Sequence, residues 1–166
     1  GRALLGLEDI RVLKGVTLNG VPESLGVWLG SAAALGSEVT VPLELRSSRD
    51  QVHVRAVARF GTSVPVGRPT LAPAGLAPFT TPLEVVYRDQ LFHGKSLEAI
   101  SAIEGLGEEG MILSLRTHPT SEQWVPGPAL PWASDPLVID GVFQALIVWT
   151  RARLGAPSLP TRLDAL

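Results

Sequence analysis

The chain has 166 residues, 45% of them hydrophobic and 18% charged, so it is long enough to fold around a hydrophobic core. Its net charge of −2 predicts no partnership with nucleic acid or with an anionic membrane surface. The absence of cysteine excludes disulfides, thiolate metal sites and cysteine nucleophiles. The sequence predicts neither a signal peptide nor a transmembrane helix, and we expect a cytoplasmic protein.

Residues 1–60 are predicted to form strands. Apolar and polar side chains alternate over residues 38–46 and again over residues 52–59. Turn-forming residues 46–50 lie between these segments, so they predict an antiparallel hairpin with one buried face. Pro42 lies on the opposite face from the apolar residues and indicates an edge strand or a bulge.

Residues 61–82 are predicted to be a linker. Prolines recur in this segment every four to five residues, with glycines between them. Such a segment is extended and has few backbone hydrogen-bond donors. After it, residues 83–87 and 111–115 predict short strands, and residues 97–103 predict a strand or a helical turn.

The clearest predicted element is a helix from Pro136 to Leu154. Asp135 is a suitable N-cap, and proline is favourable at the first helical position. Gly155 then favours termination. The side chains of this helix are apolar almost all round, so we expect it to be buried on most sides. One long buried helix among antiparallel strands predicts an α+β fold of the hotdog type, in which a sheet wraps around a central helix.

Two polar residues interrupt this helix. Asp140 and Gln144 are four residues apart and therefore share one face. Burial of a carboxyl group favours its protonated form, which is the form that donates a proton. Gly141 has no side chain beside Asp140 and would allow an acyl chain to approach. A structural role for Asp140, as a hydrogen-bonding group to a neighbouring loop, is the alternative.

The Asp140-x-x-x-Gln144 pair resembles the D-x-x-x-Q/H motif on the second-hotdog helix of polyketide synthase dehydratase domains. Residues 91–94, Leu-Phe-His-Gly, resemble the L-F-H-G-P segment that opens the same hotdog, with Lys95 in place of the proline. Residues 9–16, Asp-Ile-Arg-Val-Leu-Lys-Gly-Val, resemble a first-hotdog segment found especially in polyunsaturated fatty acid synthases.

Two further segments, 132–137 and 157–160, fit the same subgroup, so the resemblance runs in register over nearly the whole chain. It implies a partial double hotdog. Residues 1–60 would be part of the first hotdog and residues 61–82 the linker. Residues 83–166 would be the second hotdog up to and including its central helix.

The resemblance also implies a reaction, the removal of water from a β-hydroxyacyl group on the phosphopantetheine of an acyl carrier protein. A histidine would remove the α-proton, Asp140 would protonate the leaving hydroxyl, and Gln144 would hold Asp140 in place. We expect His93, Gly94, Gly141 and Phe143 to bind the substrate. No metal or bound cofactor is expected. The implied partners are the carrier protein and neighbouring synthase domains.

The family's catalytic histidine lies in an H-x-x-x-G-x-x-x-x-P motif that His53, His93 and His118 do not match. Their plainer roles are an exposed strand residue, a packing residue and part of a turn, respectively. We expect the chain to lack the first hotdog's helix and the strands after the second helix. The catalytic histidine would then lie upstream, the chain alone would be inactive, and exposed apolar surface would favour a homodimer.

Two alternatives remain open at the level of sequence. The chain could be a non-catalytic dehydratase-like domain with a structural or docking role in a synthase. A hotdog thioesterase, which would release free acid, is the less favoured alternative.

Overall fold

The computed structural model describes residues 1–17, 19–62, 67, 71–118, 120–122 and 124–166. They form two compact units, one of Gly1–Arg68 with Pro160–Leu166 and one of Pro69–Leu159. Within the described ranges, no helix is long and apolar enough to cross a membrane. In chain order the elements are β1 (Ala3–Val12), β2 (Leu25–Leu29), β3 (Ala33–Leu35), β4 (Glu38–Ser47), β5 (Val52–Gly61), α1 (Leu83–Asp89), a 3₁₀ turn (Lys95–Leu97), β6 (Ile100–Leu106), β7 (Met111–Leu115), α2 (Pro136–Leu154) and β8 (Arg162–Ala165).

The first unit is an antiparallel sheet in the order β2-β4-β5-β1-β8, with β3 also paired to β4. The predicted hairpin is confirmed, because β4 pairs with β5. Pro42 lies inside β4, at the break between the segments that pair with β2 and with β3. The N–H of Gly30 donates to the carbonyl of Pro42, and no ladder bond is needed from the proline nitrogen.

His53 of β5 is buried, with 7% of its surface exposed, whereas the sequence predicted an exposed strand residue. Its Nδ1 lies 3.0 Å from the carbonyl oxygen of Lys14. The backbone N–H groups of Leu13 and Lys14 in turn donate to the carbonyl of His53. The chain that leaves β1 covers this histidine, which alternation along β5 alone does not reveal.

In the second unit, helix α1 replaces the short strand predicted from Leu83 to Tyr87. Leu83, Val86 and Tyr87 belong to one hydrophobic core, and Val86 is fully buried. Their spacing of three and four residues is that of one helix face. A segment of five residues has too few apolar positions to distinguish the period of a helix from the two-residue period of a strand.

Helix α2 has the predicted bounds and caps. Oδ1 of Asp135 accepts the N–H of Leu137 at 2.9 Å, and Gly155 takes the left-handed conformation with φ 72°. One face of α2 packs on β6 and β7. Val142 and Leu146 are 55% and 39% exposed, so the helix is not buried on most sides as the sequence predicted. The core of this unit contains Val86, Leu91, Ile100, Ile147 and Val148.

The unit boundaries differ from the predicted domains at two places. A strand follows α2, namely β8, and it pairs with β1, so residues 160–166 belong to the first unit rather than the second hotdog. Within the predicted linker 61–82, Gly61 belongs to β5, and Ala77 exchanges backbone hydrogen bonds with Leu106. Residues 63–66 and 68–70 of that linker lie outside the described residues.

Candidate active site

Gln144 is the centre of a buried hydrogen-bond network in the second unit. Its side chain is fully buried on α2. Its Nε2 donates to Oδ2 of Asp140 at 2.7 Å and to the carbonyl oxygen of Leu97 at 2.6 Å. Because a primary amide has two N–H donors, both are used. The side-chain pairing expected from the four-residue spacing is therefore present.

Tyr87 of α1 completes the network on the other side of the amide. Its hydroxyl donates to Oε1 of Gln144 at 2.8 Å and accepts the backbone N–H of Ile100 at 2.7 Å. Burial raises the pKa of the Tyr87 phenol. Sequence reasoning missed this residue because it assigned residues 83–87 to a strand. The available signal was that a tyrosine within an apolar segment needs a partner for its hydroxyl.

His93 lies beside Asp140. Its Nε2 is 3.5 Å from Oδ2 of Asp140, and 6% of its side chain is exposed. Its ring stacks on that of Phe92, with centroids 4.4 Å apart. Its Nδ1 is buried and has no hydrogen-bond partner within the part of the chain that the structure describes. The structure thus brings His93 to the carboxyl group, while its predicted role in binding substrate stays a prediction.

The carboxyl group of Asp140 is partly accessible, with 33% of its side chain exposed, rather than fully enclosed. Both side chains described above approach the same oxygen, Oδ2. Oδ1 accepts no hydrogen bond from any of the described residues. Among the described residues, the carboxyl group is therefore held through one oxygen.

Gly141 faces the sheet. A Cβ at this position would lie 2.7 Å from Cδ2 of Leu115 and 2.9 Å from Cβ of Ala99. The absence of a side chain here lets α2 pack closely on the β6–β7 hairpin, and the predicted substrate contact of Gly141 stays a prediction. A Cβ at Gly94 would meet no atom within 4 Å, and Phe143 is half-buried.

A cavity of about 390 Å³ lies beside Tyr87. Its lining residues are Leu83, Glu84, Tyr87, Arg88, Lys95, Glu98 and Arg116. Asp140 is not among them. Tyr87 therefore contacts this charged cavity as well as the Gln144 amide.

Comparisons with known proteins identify the fold. No protein-family model matches the chain. The crystal structure of the dehydratase domain of RzxB from Pseudomonas fluorescens superposes with a TM-score of 0.58 at 14% identity, over 99% of this chain and 59% of that one. This chain shares its fold with that dehydratase domain. The predicted α+β hotdog-type architecture is thereby confirmed.

One relative aligns in sequence over the whole chain. The chain is 25% identical, over an alignment of 171 residues, to one component of the polyunsaturated fatty acid synthase of Thraustochytrium sp.. This alignment includes 100% of the chain but 6% of the relative's length. The resemblance to dehydratase domains of polyketide and polyunsaturated fatty acid synthases, predicted from short segments, is confirmed over the whole chain.

No metal site was predicted from the sequence. Among the described residues, no group of three or more histidine, aspartate or glutamate side chains is arranged to hold a metal ion. His93 and Asp140 form a pair without a third ligand. What this pair and Gln144 offer chemically is a proton donor or acceptor in a fixed orientation.

Proposed function

We propose that this chain forms part of a dehydratase domain that removes water from a β-hydroxyacyl thioester carried by an acyl carrier protein. The observation that carries the proposal is the Gln144–Asp140 hydrogen bond of 2.7 Å on the central helix of a dehydratase fold. It holds one carboxyl oxygen and leaves Oδ1 for the substrate's hydroxyl.

In the proposed reaction, a base removes the α-proton and the electron pair of that C–H bond forms the Cα–Cβ double bond. The bond from Cβ to the hydroxyl oxygen breaks, and Asp140 supplies the proton that lets the oxygen leave as water. Asp140 is left as a carboxylate. The N–H of Gln144 stabilises this charge, because a hydrogen bond to an ionised group is stronger than one to a neutral group.

The resemblance to dehydratase domains implies that a histidine is the base that removes the α-proton. His93 lies against Asp140, and we place it at the substrate end of the site together with Gly94 and Phe143. Its Nε2 lies 3.5 Å from the carboxyl group of Asp140, and its Nδ1 is buried. We therefore propose a substrate-binding role for His93 and assign the base to another histidine of the longer synthase.

The proposed partners are the acyl carrier protein and the neighbouring domains of a multidomain synthase. The aligned relative is a synthase component, and this chain corresponds to a small part of it. The substrate would be delivered on phosphopantetheine, so the domain itself would need no bound cofactor. Homodimer formation stays a prediction.

The test is mass spectrometry of a β-hydroxyacyl carrier protein incubated with this chain and, in parallel, with a longer piece of the parent synthase that includes upstream sequence. We expect loss of one water mass with the longer piece and none with the chain alone. Asp140→Asn in the active form should abolish water loss while the fold survives. Asp164→Asn, an exposed carboxyl in the first unit, is the matched control. Retained activity in Asp140→Asn contradicts the proposal.

A non-catalytic structural domain is the second candidate function, and one observation favours it. Gln144 also donates to the carbonyl of Leu97, so the same network fastens α2 to the segment that follows α1. A purely structural network predicts no water loss with any piece of the synthase, together with lower stability in Asp140→Ala. Free fatty acid as the product would instead identify a thioesterase, and the same mass spectra distinguish all three.

A further inference from the structure

The hydroxyl of Tyr87 makes two hydrogen bonds with fixed roles. The backbone N–H of Ile100 can only donate, so the hydroxyl oxygen accepts it at 2.7 Å. The hydroxyl hydrogen then goes to Oε1 of Gln144 at 2.8 Å, which is closer than the carbonyl oxygen of Ile100 at 3.4 Å. The shorter distance to Oε1 of Gln144 therefore gives the direction of the phenol's own hydrogen bond.

This hydrogen bond and the acceptor carbonyl of Leu97 together orient the Gln144 amide, so that its NH₂ end faces Asp140. With Oε1 held by Tyr87, Nε2 is directed at Oδ2 of Asp140 and at the carbonyl of Leu97. An amide rotated by half a turn would place Oε1 against two acceptor oxygens, and the hydroxyl of Tyr87 would lose the acceptor that lies 2.8 Å away. Because the Gln144 side chain is fully buried, the rotated amide oxygen would be left without a donor.

We propose that Tyr87 is a positioning residue, which fixes the Gln144 amide so that it donates to Oδ2 of Asp140 and leaves Oδ1 as the oxygen that exchanges a proton with the substrate. The role of Oδ1 rests on the proposed dehydration, whereas the orientation of the amide does not. Tyr87 acts through Gln144 and does not contact Asp140 itself.

The first experiment measures hydrogen exchange of the Gln144 side-chain amide by NMR in the 166-residue chain. We expect Tyr87→Phe to accelerate this exchange by about tenfold or more, because the amide loses the partner of its oxygen. Thr150→Val is the matched control. It removes a hydroxyl on α2 that is also hydrogen-bonded, in this case to the carbonyl of Leu146, but that lies outside this network. Exchange that is unchanged in Tyr87→Phe, or equally accelerated in Thr150→Val, overturns the proposal.

A second variant keeps the test valid if Tyr87→Phe does not fold. Tyr87 is the sole tyrosine, so its phenol can be titrated by ultraviolet absorbance without interference from another. Gln144→Met keeps the side-chain length but removes the acceptor of the phenol's proton. We expect the pKa of Tyr87 to fall below that of the wild-type chain, since burial still raises it but the neutral phenol loses a hydrogen bond. An unchanged titration shows that the phenol does not donate to Gln144.

Activity then links the positioning to catalysis. In a synthase piece that removes water, Tyr87→Phe should lower kcat about tenfold with a smaller change in KM, and this effect should disappear in a Gln144→Met background. If Tyr87→Phe lowers kcat as much in the Gln144→Met background as in the wild-type background, Tyr87 does not act through Gln144. If the NMR result holds but no piece removes water, the proposed function fails while the fixed amide stands.

Discussion

Nε2 of Gln144 lies 2.7 Å from Oδ2 of Asp140, one helical turn earlier on α2. This contact joins a fully buried amide to a carboxyl group that is one-third exposed. Tyr87 and the carbonyl of Leu97 fix the orientation of the buried Gln144 amide. The amide in turn orients the carboxyl group of Asp140. In the proposed dehydration, a proton donor held in this way needs little reorganisation when it reacts.

Gln144→Met should lower the free energy of unfolding by about 2–4 kcal/mol, because several buried hydrogen-bonding groups lose their partner at once. Chemical denaturation measures the change. Gln90→Met, at the end of α1, is the matched control, because the half-buried Gln90 makes no side-chain hydrogen bond to a described residue. Similar losses in both variants would show that the network adds little to stability.

Gly141→Ala should destabilise the second unit by about 1–3 kcal/mol, because the added Cβ overpacks the contact with Leu115 and Ala99. Thermal unfolding measures the loss. Gly94→Ala is the control, since a Cβ at that position meets open space and the backbone φ is −74°. If Gly141→Ala keeps full stability but loses acyl-substrate binding, the substrate role predicted from the sequence is correct and the packing role is not.

Tyr87 should make stability depend on alkaline pH. Burial raises the pKa of its phenol in the folded state above the unfolded value of about 10. The folded chain therefore holds this proton more tightly than the unfolded chain does. The contribution is fully present below about pH 10 and is lost as pH rises through the folded pKa.

The measurement is the urea midpoint of the wild-type chain between neutral and strongly alkaline pH, compared with that of Tyr87→Phe. We expect the wild-type midpoint to fall more steeply above about pH 10. Nearby charges that contribute to the same titration are Glu98, Arg116 and Asp140. Parallel curves for the two proteins would show that the phenol does not couple to folding.

Asp135→Ala should cost about 1–2 kcal/mol of stability. The side chain of Asp135 accepts the N–H groups of Leu137 and Val138 and also that of His118. Its removal therefore affects the start of α2 and the chain that follows β7. Ser134→Ala, an exposed neighbour, should leave the thermal midpoint nearly unchanged, and an equal loss there would exclude a specific capping effect.

The sequence by itself determined the elements whose signals are local. Helix α2 has its cap, its first proline and its terminal glycine within a single segment, and the β4–β5 hairpin has a clear two-residue period. The pairing of Asp140 with Gln144 follows from helical geometry alone, since residues four apart share a face. These features needed no knowledge of the rest of the chain.

Tertiary structure alone decided the features that depend on distant residues. Tyr87 is 57 residues from Gln144 and reaches it because α1 and α2 share one hydrophobic core. His93 meets Asp140, and Gly141 meets Leu115, through the same packing. The physical reason is that burial makes each polar group take a specific partner, and only the assembled core determines which partner is within reach.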